Sequence, residues 1–389
     1  MPRSPHVARS AQQLSDRVFS RLALLAKERG KPVHPLHVGD TYLEPLAAAM
    51  AEAQRTIDQP RLHNYAPVQG EPMLLDAIDG HLSRRAGYAV ERERVQVVSG
   101  ATAGLSVVSE ALLDPDDEVI LPSPFWPLIR GIIQKRGAVA VEVPLFHRAS
   151  DPSFDVEGAL EAAVTSKTVA LYLNSPHNPT GAILTDAQLG AFARVAARHD
   201  LWVLSDEVYE ALALTGEAPP TWSRPDLRGR TVAVHSVSKA YGLAGSRVGF
   251  AHGPPEAMDA IRGVQTYSTY CAPRPLQRGA ARVLMDGEPW LREARATYTR
   301  AAARAAEVLG VDAPAAGTFL HLDVRPHRRD GEDTMGFLTR CLEAGVLLTP
   351  GASTGKDFEG YVRLCFTSVP PDQLDEALAA LAPLFCRAP

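Results

Sequence analysis

The chain reads as an α/β protein: a large domain whose mostly parallel sheet is flanked by helices, joined to a smaller α+β domain. Three observations predict this. Short apolar runs with strand character alternate with amphipathic helical stretches through about residues 90–250, the rhythm of helices crossing over a parallel sheet. From residue 318 the order changes to strand, helix, two strands and a closing helix, which suits a separate, smaller unit. A length of 389 residues is too great for one small domain and suits a large one plus a smaller one. The expected division is 46–275 for the large domain, with 1–45 as an N-terminal arm of the small domain and 276–389 as the rest of it.

In chain order, Leu14, Val18, Leu22 and Leu25 recur at helical spacing and predict an amphipathic helix over 11–28. Leu36-His-Val predicts a short strand, and Gly39-Asp-Thr-Tyr-Leu-Glu-Pro45 a turn bounded by glycine and proline. The loop His63-Asn-Tyr65-Ala-Pro-Val-Gln-Gly70 precedes a helix over 71–85. Val95-Gln-Val-Val98 is a strand, and Ser99-Gly100-Ala101-Thr102-Ala-Gly104 opens a helix running to about Leu113. Free backbone N–H groups and the positive end of the dipole make such a helix start an anion site, although small residues are common there. A strand over 117–121 ends in Pro122-Ser-Pro-Phe125-Trp126-Pro127. After a helix and a strand over 138–143, strand 168–173 runs into Asn174-Ser-Pro-His-Asn178-Pro-Thr-Gly181. Thr185-Asp-Ala-Gln188 is a capping box for a helix over 186–199.

Strand 201–205 ends at Asp206-Glu207-Val-Tyr209, where an aspartate is ordinarily solvated or caps the turn; Glu207 and Glu210 read as structural or solvated. A strand over 231–235 and another over 247–252 bracket a Gly-rich segment, and a helix near 254–266 follows. Helices near 275–285 and 288–308 lead to strand 318–324, helix 334–343, strands 345–348 and 361–366, and a closing helix over 371–384. Arg274 reads as a surface residue.

Composition narrows the function. The net charge of −5 gives no reason to expect nucleic acid or an anionic membrane as a partner. Cys271, Cys341, Cys365 and Cys386 lie far apart without a C-x-x-C pair, so buried free thiols are expected and neither a metal site nor a disulfide framework is. No run of about 18 apolar residues offers a membrane span. The N-terminal Met1-Pro-Arg-Ser-Pro-His has no apolar signal-peptide core, and a cytoplasmic location is expected.

One stretch concentrates the chemistry: Ser236-Val-Ser238-Lys239-Ala-Tyr-Gly-Leu-Ala-Gly-Ser-Arg247. Alone, Lys239 would be a surface lysine in a Gly-rich turn. Just past a buried strand, with hydroxyls before it and an arginine after it, it can instead form a Schiff base with a carbonyl cofactor. Ser236, Ser238 and Arg247 then suit that cofactor's phosphate, since a guanidinium matches phosphate oxygens with a planar fork of donors. S-x-S-K-x-x-x-x-x-G-x-R resembles the lysine motif of the class I/II aminotransferases, which are fold-type I enzymes dependent on pyridoxal 5'-phosphate (PLP). With the segments around Gly39, Tyr65, Gly100, Trp126, Asn178, Asp206 and Arg363, the resemblance extends over nearly the whole chain.

The resemblance implies a role for each matching position. Gly100, Ala101 and Thr102 complete the phosphate cup, and Tyr65 reaches the phosphate held by the neighbouring subunit. Trp126 stacks on the pyridine ring, with Phe125 as the fallback; a cationic ring gains ~0.5–2 kcal/mol from such a face. Asn178 donates to the cofactor's phenolic oxygen, and Tyr209 joins it there. Asp206 keeps the ring nitrogen protonated. Arg363, within Tyr361-Val-Arg363-Leu-Cys-Phe366, clamps the substrate α-carboxylate, and the Gly39 turn passes over the substrate; from Gly39 to Pro45 this turn is one residue shorter than the family's usual pattern.

The implied activity is transfer of an amino group between an L-amino acid and a 2-oxo acid through a Lys239 Schiff base, with a pyridoxamine phosphate intermediate. A homodimer is implied too, because Tyr65 and the loop near Ser268 would serve the partner's site. The same lysine, aspartate and arginine also serve PLP lyases, racemases and decarboxylases. A regulator with an aminotransferase-like sensor domain is a more remote alternative, since only about 30 residues precede the expected fold. No residue here names the substrate side chain, although the lack of an obvious second carboxylate-binding arginine disfavours aspartate and glutamate.

Overall fold

The structure, a computed structural model, describes residues 5, 7–12, 14, 20–30, 32–151 and 153–385. Seven strands make the central sheet: β1 (Val95–Val98), β2 (Glu118–Ser123), β3 (Val139–Pro144), β4 (Thr168–Asn174), β5 (Trp202–Asp206), β6 (Thr231–Ser236) and β7 (Gly249–His252), in the order β1-β7-β6-β5-β4-β2-β3. Strands β3, β2, β4, β5 and β6 pair in parallel, whereas β7 runs antiparallel to both of its neighbours. The expected mostly parallel sheet is therefore present, with one reversed strand.

The described helices are, in order, α1 (Arg9–Gln12), α2 (Ser20–Arg29), α3 (Ala47–Ala53), α4 (Pro72–Ala86), α5 (Ala101–Leu112), α6 (Pro127–Gln134) and α7 (Val156–Glu161). They continue as α8 (Asp186–Arg198), α9 (Pro255–Ser268), α10 (Arg274–Asp286), α11 (Glu288–Leu309), α12 (Thr334–Glu343) and α13 (Pro371–Phe385). Side chains alternate across the strands, so the central ones read as unbroken apolar runs because both faces are covered. Val119, Leu121 and Tyr172 pack under α5, α6 and α9 on one face; Ile120, Leu171 and Leu173 pack under α7 and α8 on the other. The capping box at Thr185 forms as expected, with its hydroxyl accepting from Gln188 N.

A second, antiparallel sheet orders β8 (Phe319–Asp323), β10 (Tyr361–Cys365) and β9 (Thr349–Pro350) as β8-β10-β9. Arg363 lies opposite His321 on one side and Thr349 on the other.

Several local expectations are corrected. The helix over 11–28 is not continuous: α1 covers Arg9–Gln12, Leu14 lies in a bend and α2 covers Ser20–Arg29; Val18 lies outside the described residues, as does Cys386. No strand forms at 36–38. That segment spends its backbone groups on β10 and its surroundings, Leu36 O accepting from Cys365 N at 2.8 Å, and the ladder contact nearby is an isolated bridge from His34, just before it, to Val346. The expected strand over 345–348 shrinks for the same reason to that bridge, followed by β9. The strand expected from 247 starts at Gly249, because Arg247 sits at φ 51° in the left-handed region after a 3-10 turn.

Charge is also buried behind the sheet. Glu210 Oε1 accepts from His81 Nε2 at 3.0 Å and from His235 Nδ1 at 2.9 Å, while Arg85 Nε lies 3.0 Å from Oε2. A neutral His235 protonated on Nδ1 presents Nε2 as the acceptor for His252 Nε2, 3.1 Å away. Burial raises the Glu210 pKa, but His235, Arg85 and His81 outweigh it and hold the carboxyl well below the usual range. Glu207 beside it is pushed by burial up to about 8. Both glutamates are thus structural rather than solvated. Glu210→Ala would strand Arg85 in a partly buried position, and an expected loss of about 3–5 kcal/mol should register in urea unfolding. A loss under about 1 kcal/mol would mean that solvent already screens the pair.

The histidines set the acid limit of stability. Burial lowers His235, drives His177 and His252 well below their ordinary value, and takes His321 to about 3. Below about pH 6.5 the unfolded chain therefore takes up protons that these native imidazoles refuse. Glu207 and Asp206, raised by burial, act in the opposite sense over the same interval, but they are fewer. Net stability is expected to fall as pH drops from about 6.5 to about 5, which a thermal melting series would read; a Tm rising toward acid would contradict it.

Candidate active site

The residues singled out along the sequence converge at the C-terminal ends of β4, β5 and β6, where open α/β sheets collect ligands. One cavity of about 140 Å³ opens there, and a second of about 310 Å³ adjoins it, with Trp126, Asn178, Tyr209 and Lys239 lining both. Ala101, Thr102, Ser236, Ser238 and Arg247 line the first; Gly39 and Arg363 line the second. A larger surface hollow of about 780 Å³ lies elsewhere, and its Arg194 and Glu157 are paired with each other at 2.7 Å.

At one end of the smaller cavity, α5 begins with Gly100 as its N-cap at φ 81°. A Cβ at this position would sit 2.5 Å from Arg247 Nη2, so only glycine lets the guanidinium approach the helix start. The Ser236 hydroxyl donates to Ser238 Oγ at 2.8 Å and accepts from Ser238 N at 3.0 Å, which fixes both on the same side. Arg247 is exposed and donates to Ala244 O at 2.8 Å. Helix N–H groups, two hydroxyls and a guanidinium form a cup suited to a phosphate dianion.

At the other end lies Asp206, only 5% exposed. Tyr172 OH donates to its Oδ2 at 2.8 Å and Val208 N to its Oδ1 at 3.2 Å, yet burial prevails and lifts its pKa to about 6. It makes no ion pair among the described residues; a cation beside it would draw its pKa back down. Asn174 holds the site together from behind, its Nδ2 donating to Asp206 O at 2.8 Å and its Oδ1 accepting from Asn178 N at 2.8 Å. Tyr172 and Asn174 were missed as supports by sequence reasoning; the visible signal was a hydroxyl and an amide in an otherwise apolar strand.

Lys239 is half-buried and donates from Nζ to Gly39 O. Burial lowers its pKa, with Asp40 opposing, so the amine is more readily neutral than a surface lysine. Tyr209 is buried and its phenol is pushed up by that burial.

Arg363 is 4% exposed, and its guanidinium reaches Asn178 Oδ1 at 3.1 Å and His37 O at 3.3 Å. It has no carboxylate partner among the described residues, and its Nε is unbonded. Because Asn178 Oδ1 accepts from Arg363, its Nδ2 remains the donor available to the cavity.

Two positions lie apart from this group. Tyr65 is 80% exposed, outside both cavities, its ring 5.2 Å edge-on to Tyr270. Arg274 is not a free surface residue: it pairs with buried Glu71 and donates to Arg61 O at 3.0 Å. Cys341 and Cys365 are buried free thiols, and Cys271 is partly buried.

Comparison with known proteins agrees with this geometry. The family described as aminotransferase class I and II matches residues 31–381. The chain is 34% identical over 351 residues to arginine–pyruvate transaminase of Pseudomonas aeruginosa, covering 88% of this chain and 87% of that protein. It is 32% identical to the aspartate/prephenate aminotransferase of Thermus thermophilus, covering 94% of each. Among solved structures it is similar to N-succinyldiaminopimelate aminotransferase from Mycobacterium tuberculosis, with TM-score 0.89 and 29% identity over 97% of this chain and all (100%) of the other. Aspartate aminotransferase from Thermus thermophilus with maleate gives TM-score 0.88 and 29% identity over 98% and 100%. The resemblance read from the motifs is borne out, and the chain belongs to the class I and II aminotransferase family.

Proposed function

We propose that this protein is a PLP-dependent transaminase moving an amino group between an L-amino acid and a 2-oxo acid. The observation that carries the reading is the convergence of a half-buried lysine, an unpaired buried carboxylate and an unpaired buried guanidinium on two adjoining cavities. Each answers one part of a PLP–amino acid pair. The cup of Gly100, Ala101, Thr102, Ser236, Ser238 and Arg247 fits the phosphate. Asp206 fits a protonated ring nitrogen, Trp126 the ring face, and Asn178 with Tyr209 the phenolic oxygen. Bound there, PLP supplies an aldehyde to take up the amino group and a ring to accept the electron pair released at Cα.

The chain's own residues do the rest. Arg363 receives the substrate carboxylate as a bidentate pair, which relieves the cost of its buried charge. The Gly39 turn covers the substrate, and its carbonyl accepts from Lys239 Nζ, which keeps the amine turned into the cavity. Lys239 Nζ, with its lowered pKa, is placed to take the proton from Cα and would give it up to the former aldehyde carbon, the 1,3 shift that amino-group transfer needs. Asp206 keeps a proton on the atom facing it by favouring the charged form.

The reading includes a homodimer in the cytoplasm. Tyr65, Tyr270 and Tyr267, the last 94% exposed, are large apolar rings left facing outward, as expected of a surface that meets a second subunit and completes its phosphate site. It also keeps 46–275 as the cofactor domain, with 1–45 and 276–389 as the small domain.

The test is the visible absorption spectrum of the PLP-loaded protein against a panel of amino acids, one at a time. Loss of the cofactor band with a donor, and its return with a 2-oxo acid, is the expected result and names the donor class. A band that persists while ammonia, carbon dioxide or a racemised product forms would move the chemistry to a lyase, decarboxylase or racemase.

A further inference from the structure

We propose that Phe319 is a positioning residue of the substrate-carboxylate site, its ring serving as the partner of the Arg363 guanidinium until a carboxylate arrives. The inference rests on the reading of Arg363 as the carboxylate anchor.

A buried guanidinium without a counter-ion is costly and is not expected to hold one orientation unaided. Among the described residues, Arg363 has no charged partner. Its hydrogen bonds go to one amide oxygen, Asn178 Oδ1, and one carbonyl, His37 O. The imidazoles of His37 and His321 are both pushed toward neutrality, first by burial and then by Arg363 itself. What remains is the face of Phe319, whose ring centroid lies 4.1 Å from Arg363 Cζ. That is well inside the reach of a cation–π contact.

The placement follows from sheet register. Phe319 pairs with Cys365 across β8 and β10, so it stands diagonal to Arg363 on the same face of the small sheet. The ring also touches two other walls of the cavity. Its Cζ lies 2.4 Å from where a Cβ on Gly39 would be, so glycine at 39 is required by close approach to the ring. Tyr209 packs edge-on to it, with centroids 6.1 Å apart at 66°. One side chain therefore spaces the guanidinium, the turn over the substrate and the Tyr209 phenol. An aliphatic side chain would fill part of the volume but has no negative face to hold the cation.

Phe319→Leu in the PLP-loaded enzyme is expected to raise KM for every amino acid and 2-oxo acid by the same factor, about tenfold, with kcat within about threefold. The dissociation constant for 3-phenylpropanoate, a carboxylate with no amino group, should rise by a similar factor when followed through the cofactor band, with cofactor content unchanged. Gly39→Ala, which pushes a methyl into the ring, should give the same side-chain-independent loss. Combined with Phe319→Leu, it should lose less than the product of the two. Arg363→Ala serves as the reference: if it leaves carboxylate binding unchanged, the anchor reading itself fails. If Arg363→Ala weakens binding and Phe319→Leu does not, only the positioning role is overturned. A loss in Phe319→Leu confined to some side chains would likewise overturn it, making the ring a specificity contact. So would losses for Gly39 and Phe319 that simply multiply.

Discussion

Replacing Lys239 by alanine is expected to lower turnover by about 10⁴-fold or more while leaving the fold and much of the cofactor affinity in place. The phosphate cup, Asp206 and the ring-facing side chains are all separate from Lys239, so binding survives in their hands. What is lost is the one amine among the described residues that lines both cavities, whose pKa burial has already lowered. Two measurements check this. Borohydride treatment of the loaded wild type should leave the cofactor covalently attached, and mass spectrometry should find it at Lys239 and nowhere in Lys239→Ala. Covalent attachment persisting in the variant, or turnover within about tenfold of wild type, would remove Lys239 from its role.

Arg363→Leu should separate binding from stability. Loss of a charge-assisted bidentate pair costs about 2–5 kcal/mol of substrate binding, so kcat/KM for amino acids should drop by roughly 30-fold to several thousandfold, chiefly through KM. In the free enzyme, however, Arg363 makes no ion pair among the described residues and is 4% exposed. Replacing such a charge by an apolar side chain is expected to leave Tm unchanged or raise it. A variant that binds substrate normally but unfolds several kcal/mol more easily would mark Arg363 as a structural element instead.

The contrast with Glu210 shows how burial alone misleads. Both are buried charges, but Glu210 is surrounded by His81, His235 and Arg85, so its removal should be felt in stability. Arg363 is surrounded by neutral acceptors and a ring, so its removal should be felt in binding. Residue type and spacing alone do not tell these cases apart, since each is a charged residue within an apolar run; only the family motif separated them.

Much of the site was nevertheless legible along the chain. Apolar runs of strand length stop at Asn174, Asp206 and Ser236, and polar residues at such stops must face the strand ends, because the interior would leave them unsatisfied. Gly100 and Arg247 were legible by motif, although their mutual approach was not. Local errors fell where hydrogen bonds are not periodic. The segment 36–38 looks like a strand by composition, yet its carbonyls serve Cys365 N, Arg363 and Thr349 Oγ1 at separate points, which no spacing announces.

The sequence by itself determined the α/β rhythm, the polar residues at the strand ends and the family, because each depends on short-range periodicity or on motifs a few residues long. Only the tertiary structure decided which side chains meet around Arg363. There, Gly39, Asn178, Tyr209, Phe319 and Arg363 meet from five separated segments, and the partner of each is set by packing and register across two sheets rather than by its neighbours in the chain. A ring beneath a guanidinium leaves no trace in spacing, since the contact is diagonal between antiparallel strands whose intervening chain runs from Phe319 to Arg363.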